Sequence, residues 1–493
     1  MHVAIAQTAR TNFGFESLRP GQEEAIRSLL AHRDTLVVQP TGAGKSAIYQ
    51  IAGLLIEGVT VVISPLIALQ KDQVDSINSH NAAEAVLINS HKKVSEIRET
   101  FEKIADGAVE YIFLAPEQLR NQETIERLKA AGVSLFVVDE AHCISEWGHD
   151  FRPDYLQIGQ VIERLGHPVV LALTATASPE VRAEIIDRLA MRKPKVLVHG
   201  FNRPNIHLRV DHFPTEKEKM EALIHRVRWA EKPGIVYVGT RKNAEQIMRA
   251  LDEEGVLALF YHAGLKARER EAIQQQFMSG EAEVIVATNA FGMGVDKSDV
   301  RFVYHFDISD SIDSYYQEIG RAGRDGEKAE AILFFRSENV GAQKFKIGGG
   351  KIDSDQIEKV TEVLSHEDGP VSPEQITEQL DISGRKLTTV LHRLEDVGAV
   401  DLLPDGEVQL NHAVDIREAV QSVAEQQQQH RDKRAEKLRQ MEEYADSSGC
   451  RRLIILRYFG DDCECPCDGC DNCASVVGIP ADDTAAGTRR EVA

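Results

Sequence analysis

Gln39-Pro-Thr-Gly-Ala-Gly-Lys45-Ser46 sits between the apolar run Thr35–Val38 and a stretch of helical pattern. A glycine-rich turn from strand to helix lets backbone N–H groups wrap phosphate oxygens at a helix N-terminus. In that setting Lys45 reaches the β and γ phosphates of ATP and Ser46 ligates Mg²⁺, with Thr41, Gly42 and Gly44 shaping the cradle. The generic pattern begins with glycine; this chain has Gln39.

Leu135–Val138 is a second apolar run that ends directly in Asp139-Glu140-Ala141-His142. A buried strand that delivers two carboxylates beside a phosphate loop gives a Mg²⁺ ligand, Asp139, and a residue to orient the attacking water, Glu140. His142 is expected to couple this site to the next lobe. Further strands are expected at Val59–Ile63, Tyr111–Leu114 and Val169–Leu173, alternating with helical patterns. Such alternation means βαβ units and a parallel sheet. The pattern repeats with strands Ile235–Val238, Val284–Ala287, Phe302–His305 and Ala331–Phe335. The expected fold is therefore α/β, with two tandem nucleotide-binding lobes over 1–203 and 204–345 and a hinge at Phe201–Ile206. In the second lobe, Gln317–Gly326 carries Arg321 and Arg324, three residues apart. On one helix face they would supply an arginine finger to the γ-phosphate across the cleft.

Bulk properties limit the alternatives. The chain has 493 residues, 42% hydrophobic and 27% charged, enough for several cores. Its apolar runs are too short to span a bilayer and its N-terminus lacks a secretory pattern, so a cytoplasmic protein without a membrane is expected. The net charge of −21 argues mildly against nucleic acid, but net charge does not fix local potential. Six of the seven cysteines crowd into 450–473, and clustered thiols in such a chain are metal ligands before they are disulfides.

The last third changes style after Gly348–Gly350. Three amphipathic patterns, with an N-cap at Ser372-Pro373, precede two short strands around Pro404-Asp405-Gly406. Three helices and a hairpin describe a winged helix over 353–411. A helical hairpin with a zinc site follows over 413–475, and a disordered tail is expected over 476–493. Cys450, Cys467, Cys470 and Cys473 supply four thiolates for tetrahedral Zn²⁺, while Cys463 and Cys465 are extra. An iron–sulfur cluster competes, but the Cys-Pro continuation typical of one is missing.

Together these motifs resemble a superfamily 2 helicase, and in detail the RecQ family. Phe15-x-x-Leu-Arg19-Pro-Gly-Gln22, Ser64–Gln73, Ala115–Gln118 and Thr174-Ala-Thr176 resemble that family's first-lobe motifs, and the resemblance implies that Phe15, Arg19 and Gln22 read adenine. Tyr261–Gly264 and Ala287–Gly294 resemble its second-lobe motifs, Phe201–Asn205 its interlobe link, and Cys450–Gly460 its zinc-domain helix. Ala141–Pro153 resembles the family's aromatic-rich loop, which couples single-strand binding to hydrolysis. Trp147 and Phe151 there offer faces for base stacking, with His149 and Arg152 beside them. One departure stands out: the winged helix precedes the zinc segment instead of following it.

The expectation is an ATP-, Mg²⁺- and Zn²⁺-dependent DNA helicase with two RecA-like lobes. It would translocate 3′→5′ on single-stranded DNA, unwind duplex, and act with repair and recombination proteins. The rivals are an RNA helicase or RNA-remodelling ATPase on the same motor, and a winged-helix DNA-binding regulator.

Overall fold

Parallel strands covered by helices on both faces lose the alternation of half-exposed strands and become continuous apolar runs. The first sheet shows this in β1 (Thr35–Val38), β2 (Val59–Ile63), β4 (Tyr111–Leu114) and β6 (Val169–Thr174), which are buried throughout. With β3 (Ala85–Ile88), β5 (Val133–Val138) and β7 (Lys195–Val198) they form a seven-stranded sheet in the order β3-β4-β2-β5-β6-β1-β7. All its pairings are parallel. The computed structural model describes residues 2–65, 67–79, 83–89, 94–145, 152–292, 295–348, 354–367, 369–403, 406–411 and 413–477.

The second lobe repeats the plan. Strands β8 (Ile206–His212), β9 (Gly234–Tyr237), β10 (Ala258–Tyr261), β11 (Val284–Ala287), β12 (Phe302–His305) and β13 (Ala329–Phe335) lie in the order β10-β11-β9-β12-β13-β8. They too are parallel throughout. Four strands were not anticipated: β3, β7, β8 and β10. All four are sheet edges, paired on one side only within their sheets and less buried than the central strands, and in β8 buried and half-buried positions alternate.

A separate compact unit spans Gly341–Leu438. Helices Ser354–Ser365, Pro373–Leu380 and Gly384–Asp396 precede the antiparallel pair β14 (Val400–Leu402) and β15 (Val408–Leu410), three helices followed by a hairpin. Ser372 and Gln375 form a reciprocal capping box at the second helix, and Ile357, Val360, Ile376, Val390, Leu394 and Val408 fill the core. Pro404 and Asp405 lie outside the described residues; Gly406 turns with φ +89. The helix Ile416–Asp446 begins in this unit. The zinc segment packs with the two lobes. Of the expected tail, 476 and 477 close the helix Asp471–Val477, and 478–493 lie outside the described residues.

Candidate ATP site and zinc centre

In a parallel sheet the strands' C-terminal ends share one edge, where ligands bind. Here β5, β6 and β1 are neighbours, so the loop after Val38, the carboxylates after Val138 and the end of β6 at Thr174 converge. The glycines at 42 and 44 turn with φ of +82 and +79, values that favour a residue without Cβ. Lys45 Nζ donates to the carbonyls of Gln39 at 3.0 Å and Pro40 at 3.4 Å, and Ser46 opens the helix Ser46–Leu55. Burial lowers the Lys45 pKa, against the pull of the Glu140 and Asp139 carboxylates.

Gln39 departs from the generic loop for a visible reason. It is buried, and Nε2 donates to Pro20 O at 3.0 Å, tying the phosphate loop to the Arg19–Gln22 segment. Gln22 Oε1 accepts from Arg19 N at 2.8 Å and Nε2 donates to Gly44 O at 2.8 Å, while the Arg19 guanidinium donates to Gly42 O. Thr41 lies in the same loop. Phe15 stacks on Phe13 at 5.9 Å and keeps 37% of its surface exposed.

Asp139 Oδ1 accepts the Glu140 N–H at 3.0 Å. Burial first, then the Glu140 charge, push the Asp139 carboxyl up to about 7, with Lys45 opposing. Two half-buried carboxylates beside one lysine suit a divalent cation. Glu140 has φ +49, a left-handed conformation unusual for a residue with Cβ, and its buried Oε2 lies 3.3 Å from His142 Nδ1. His142, expected to couple the site to the next lobe, is 1% exposed, and its Nδ1 lies 2.9 Å from Thr174 Oγ1, linking the carboxylate loop to Thr174-Ala-Thr176.

The shared helix face expected for the arginine pair needs correction. The helix Ile312–Ile319 ends before it, so Arg321 and Arg324 sit on a turn and share no helix face. The turn separates them. Arg324 crosses to the phosphate loop: its Cδ lies 3.4 Å from where a Cβ on Gly42 would be. Its Nη1 donates to Val295 O at 3.0 Å and Asp296 Oδ1 at 2.6 Å, while Nε and Nη2 are buried without partners among the described residues. Arg321 is buried beside Gly292.

Trp147, His149 and Phe151 lie outside the described residues. Arg152 is half-buried and donates to Pro65 O at 3.0 Å.

The Sγ atoms of Cys450, Cys467, Cys470 and Cys473 all lie within 4.8 Å of one another. Tetrahedral Zn²⁺ with Zn–S near 2.3 Å sets thiolates roughly 3.8 Å apart, so the four fit the metal. Burial raises the Cys450 pKa, but the Leu453 N–H and the neighbouring thiols outweigh it and bring the group to about 7. Cys463 and Cys465 fall outside this set of four. The segment also covers β8, the second sheet's edge: Leu208 N donates to Gly469 O at 2.9 Å and Val210 N to Asp471 Oδ2 at 3.0 Å.

Three buried or half-buried arginines at the lobe junction, Arg182, Arg203 and Arg452, were not anticipated. Only the position of Arg203 in a predicted hinge could have drawn attention to it.

The segments 19–185 match the DEAD/DEAH box helicase model, 216–326 the helicase conserved C-terminal domain, and 412–474 the RecQ zinc-binding domain. The chain is 36% identical over 476 residues to the probable ATP-dependent DNA helicase RecS of Bacillus subtilis, covering 96% of this chain and 92% of that relative. The chain belongs to the RecQ family of ATP-dependent DNA helicases. It is 38% identical to the ATP-dependent DNA helicase RecQ of Pasteurella multocida over 94% of its own length and 61% of that protein's. Among solved structures, the helicase MrfA bound to DNA and AMPPNP aligns with TM-score 0.58 at 17% identity, covering 84% of this chain and 62% of that one. Saccharomyces cerevisiae Dbp5 bound to RNA and ADP BeF3 aligns with TM-score 0.52 at 19% identity, covering 71% and 92%. At these identities the likeness is one of fold.

Proposed function

We propose that this RecQ-family enzyme hydrolyses ATP between its two lobes to translocate 3′→5′ on single-stranded DNA and separate duplex strands in repair or recombination. The observation that carries it is the convergence of Lys45, Asp139, Glu140 and Arg324 beside one phosphate loop, with contributions from both lobes. In this reading Lys45 exchanges its loop carbonyls for phosphate oxygens. Glu140 orients the attacking water, positioned through His142 and Thr174. The free nitrogens of Arg324 stabilise charge that develops on the γ-phosphoryl oxygens. Ser46 and Asp139 would hold Mg²⁺, which neutralises charge on the β and γ phosphates. Phe15, Arg19 and Gln22 would meet the adenine, and Trp147, His149, Phe151 and Arg152 the single strand. No helix among the described residues is long and apolar enough to cross a membrane, and a cytoplasmic site of action is part of the proposal.

The deciding experiment compares 3′-tailed, 5′-tailed and forked duplexes with ATP, alongside Lys45→Ala. ATP-dependent separation that requires a 3′ tail and vanishes in the variant is expected. Separation from a 5′ tail alone would overturn the polarity, and stronger stimulation of ATPase by single-stranded RNA than DNA would overturn the substrate.

A further inference from the structure

The interlobe link does more than join the lobes. Arg203 directs its guanidinium at the turn that carries both arginines. Nη1 donates to Gly320 O at 3.2 Å, and Nη2 donates to Ala322 O at 2.8 Å and Gly323 O at 2.9 Å. These carbonyls lie just beyond the helix Ile312–Ile319 and bracket Arg321, with Arg324 following directly. Gly323 O also accepts the Gly326 N–H at 3.1 Å, and a charged planar donor joins all three carbonyls at once. Asn205 adds a second hold, its Nδ2 donating to Gly323 O and Glu327 O, each at 2.8 Å.

Arg203 is itself held from the zinc segment. Arg452 is 6% exposed and donates to Arg203 O at 2.6 Å, Asn202 Oδ1 at 3.1 Å, Ile206 O at 2.8 Å and Gly469 O at 3.3 Å. Gly469 lies between Cys467 and Cys470, and a Cβ on it would sit 2.2 Å from Arg452 Nη2. Nearby, Phe459 stacks on Phe201 with centroids 4.5 Å apart and 5° between planes, and Arg182 of the first lobe donates to Phe459 O. The link is thus gripped from the zinc side and grips the arginine turn on the other.

We propose that Arg203 is a positioning residue for ATP hydrolysis: it fixes the turn that presents Arg324 to the phosphate loop, and Arg452 extends that hold to the zinc segment. The inference rests on Arg324 acting at the γ-phosphate. Neither Arg203 nor Arg452 is placed to touch ATP, so loss of either should act on turnover and spare binding.

The test uses the full-length, zinc-loaded chain and measures DNA-stimulated kcat, KM for ATP and bound zinc. Arg203→Gln is expected to lower kcat ~10–100-fold with KM for ATP within ~2-fold and zinc content unchanged. Arg203→Lys, which keeps the charge but lacks the planar fork, should recover only part of the rate. Arg452→Lys should lower kcat in the same direction. The decisive comparison is the double variant: with Arg324→Ala in place, adding Arg203→Gln should cost less than ~3-fold more, because the two act in series. Multiplicative losses, a rise in KM matching the fall in kcat, or unchanged turnover in Arg203→Gln would each overturn the inference. Unchanged turnover in Arg324→Ala would instead overturn the finger role itself.

Discussion

Arg324 brings two unpartnered, buried guanidinium nitrogens to the edge of the phosphate loop. Buried donors left unsatisfied cost about 1–3 kcal/mol each, a strain that an incoming phosphoryl oxygen relieves. Arg324→Ala is therefore expected to lower DNA-stimulated kcat ~10³-fold, with ATP affinity changed less than ~5-fold; an equal loss in both would assign Arg324 to ground-state binding. A different residue sets a pH dependence of stability. Burial pushes the Glu110 carboxyl up to about 7, and its Oε1 is buried without a partner. A raised carboxylate pKa means the folded state favours the proton. Its contribution is fully present below pH ~4.5 and is lost as pH rises through about 7. Glu110→Gln should thus stabilise the chain by about 1 kcal/mol at pH 8, after allowance for the part of the side chain that stays in water, and have no effect at pH 4. Thermal unfolding at the two pH values checks it. At this scale Lys45, Asp139 and Glu140 were legible because their chemistry demands fixed spacing beside glycines and apolar strands. Gln39, Arg203 and Arg452 were not, because their partners are backbone carbonyls of segments brought near only by folding.

The strands divide the same way at the scale of elements. Buried central strands such as β1 and β4 are unbroken apolar runs and were read directly. The edges β3, β7, β8 and β10 pair on one side only within their sheets, and Ile206-His-Leu-Arg-Val-Asp-His212 interleaves polar residues so evenly that it offers no apolar run to read. Arg321 and Arg324 were placed on a helix because three-residue spacing suits one, yet Gly320 and Gly323 lie among them and the helix stops at Ile319. Packing within the second sheet yields a further test. Gly234 opens β9 beside β12, and a Cβ there would lie 2.0 Å from the Phe302 ring. Gly234→Ala is expected to destabilise the chain by roughly 2–3 kcal/mol, and Phe302→Leu in the same chain should recover part of it. Equal thermal stability of Gly234→Ala and the parent would show that the ring moves aside freely.

For the whole molecule, the four-thiol site is the element with the widest reach, because its segment contacts the link, the second sheet and, through Arg182, the first lobe. Chelating the metal, or Cys470→Ser, should lower the unfolding temperature of the chain, whereas Cys465→Ser, outside the set of four, should leave it within ~1 °C. Equal losses from the two substitutions would put Cys465 among the ligands. Fold class and the order of motor and zinc segments were legible from motifs; how the zinc segment seats on the link was not, since no local pattern encodes it.

The covering of β8 has a consequence outside catalysis. Leu208 and Val210 give their N–H groups to Gly469 and Asp471, so the open side of a seven-residue parallel strand is closed by the metal-binding loop. A bare strand edge is a template for pairing with another chain. Releasing the loop, as loss of the metal would favour, would leave these N–H groups bare and open the edge to pairing with a second copy. The metal site then guards a strand edge as well as a fold.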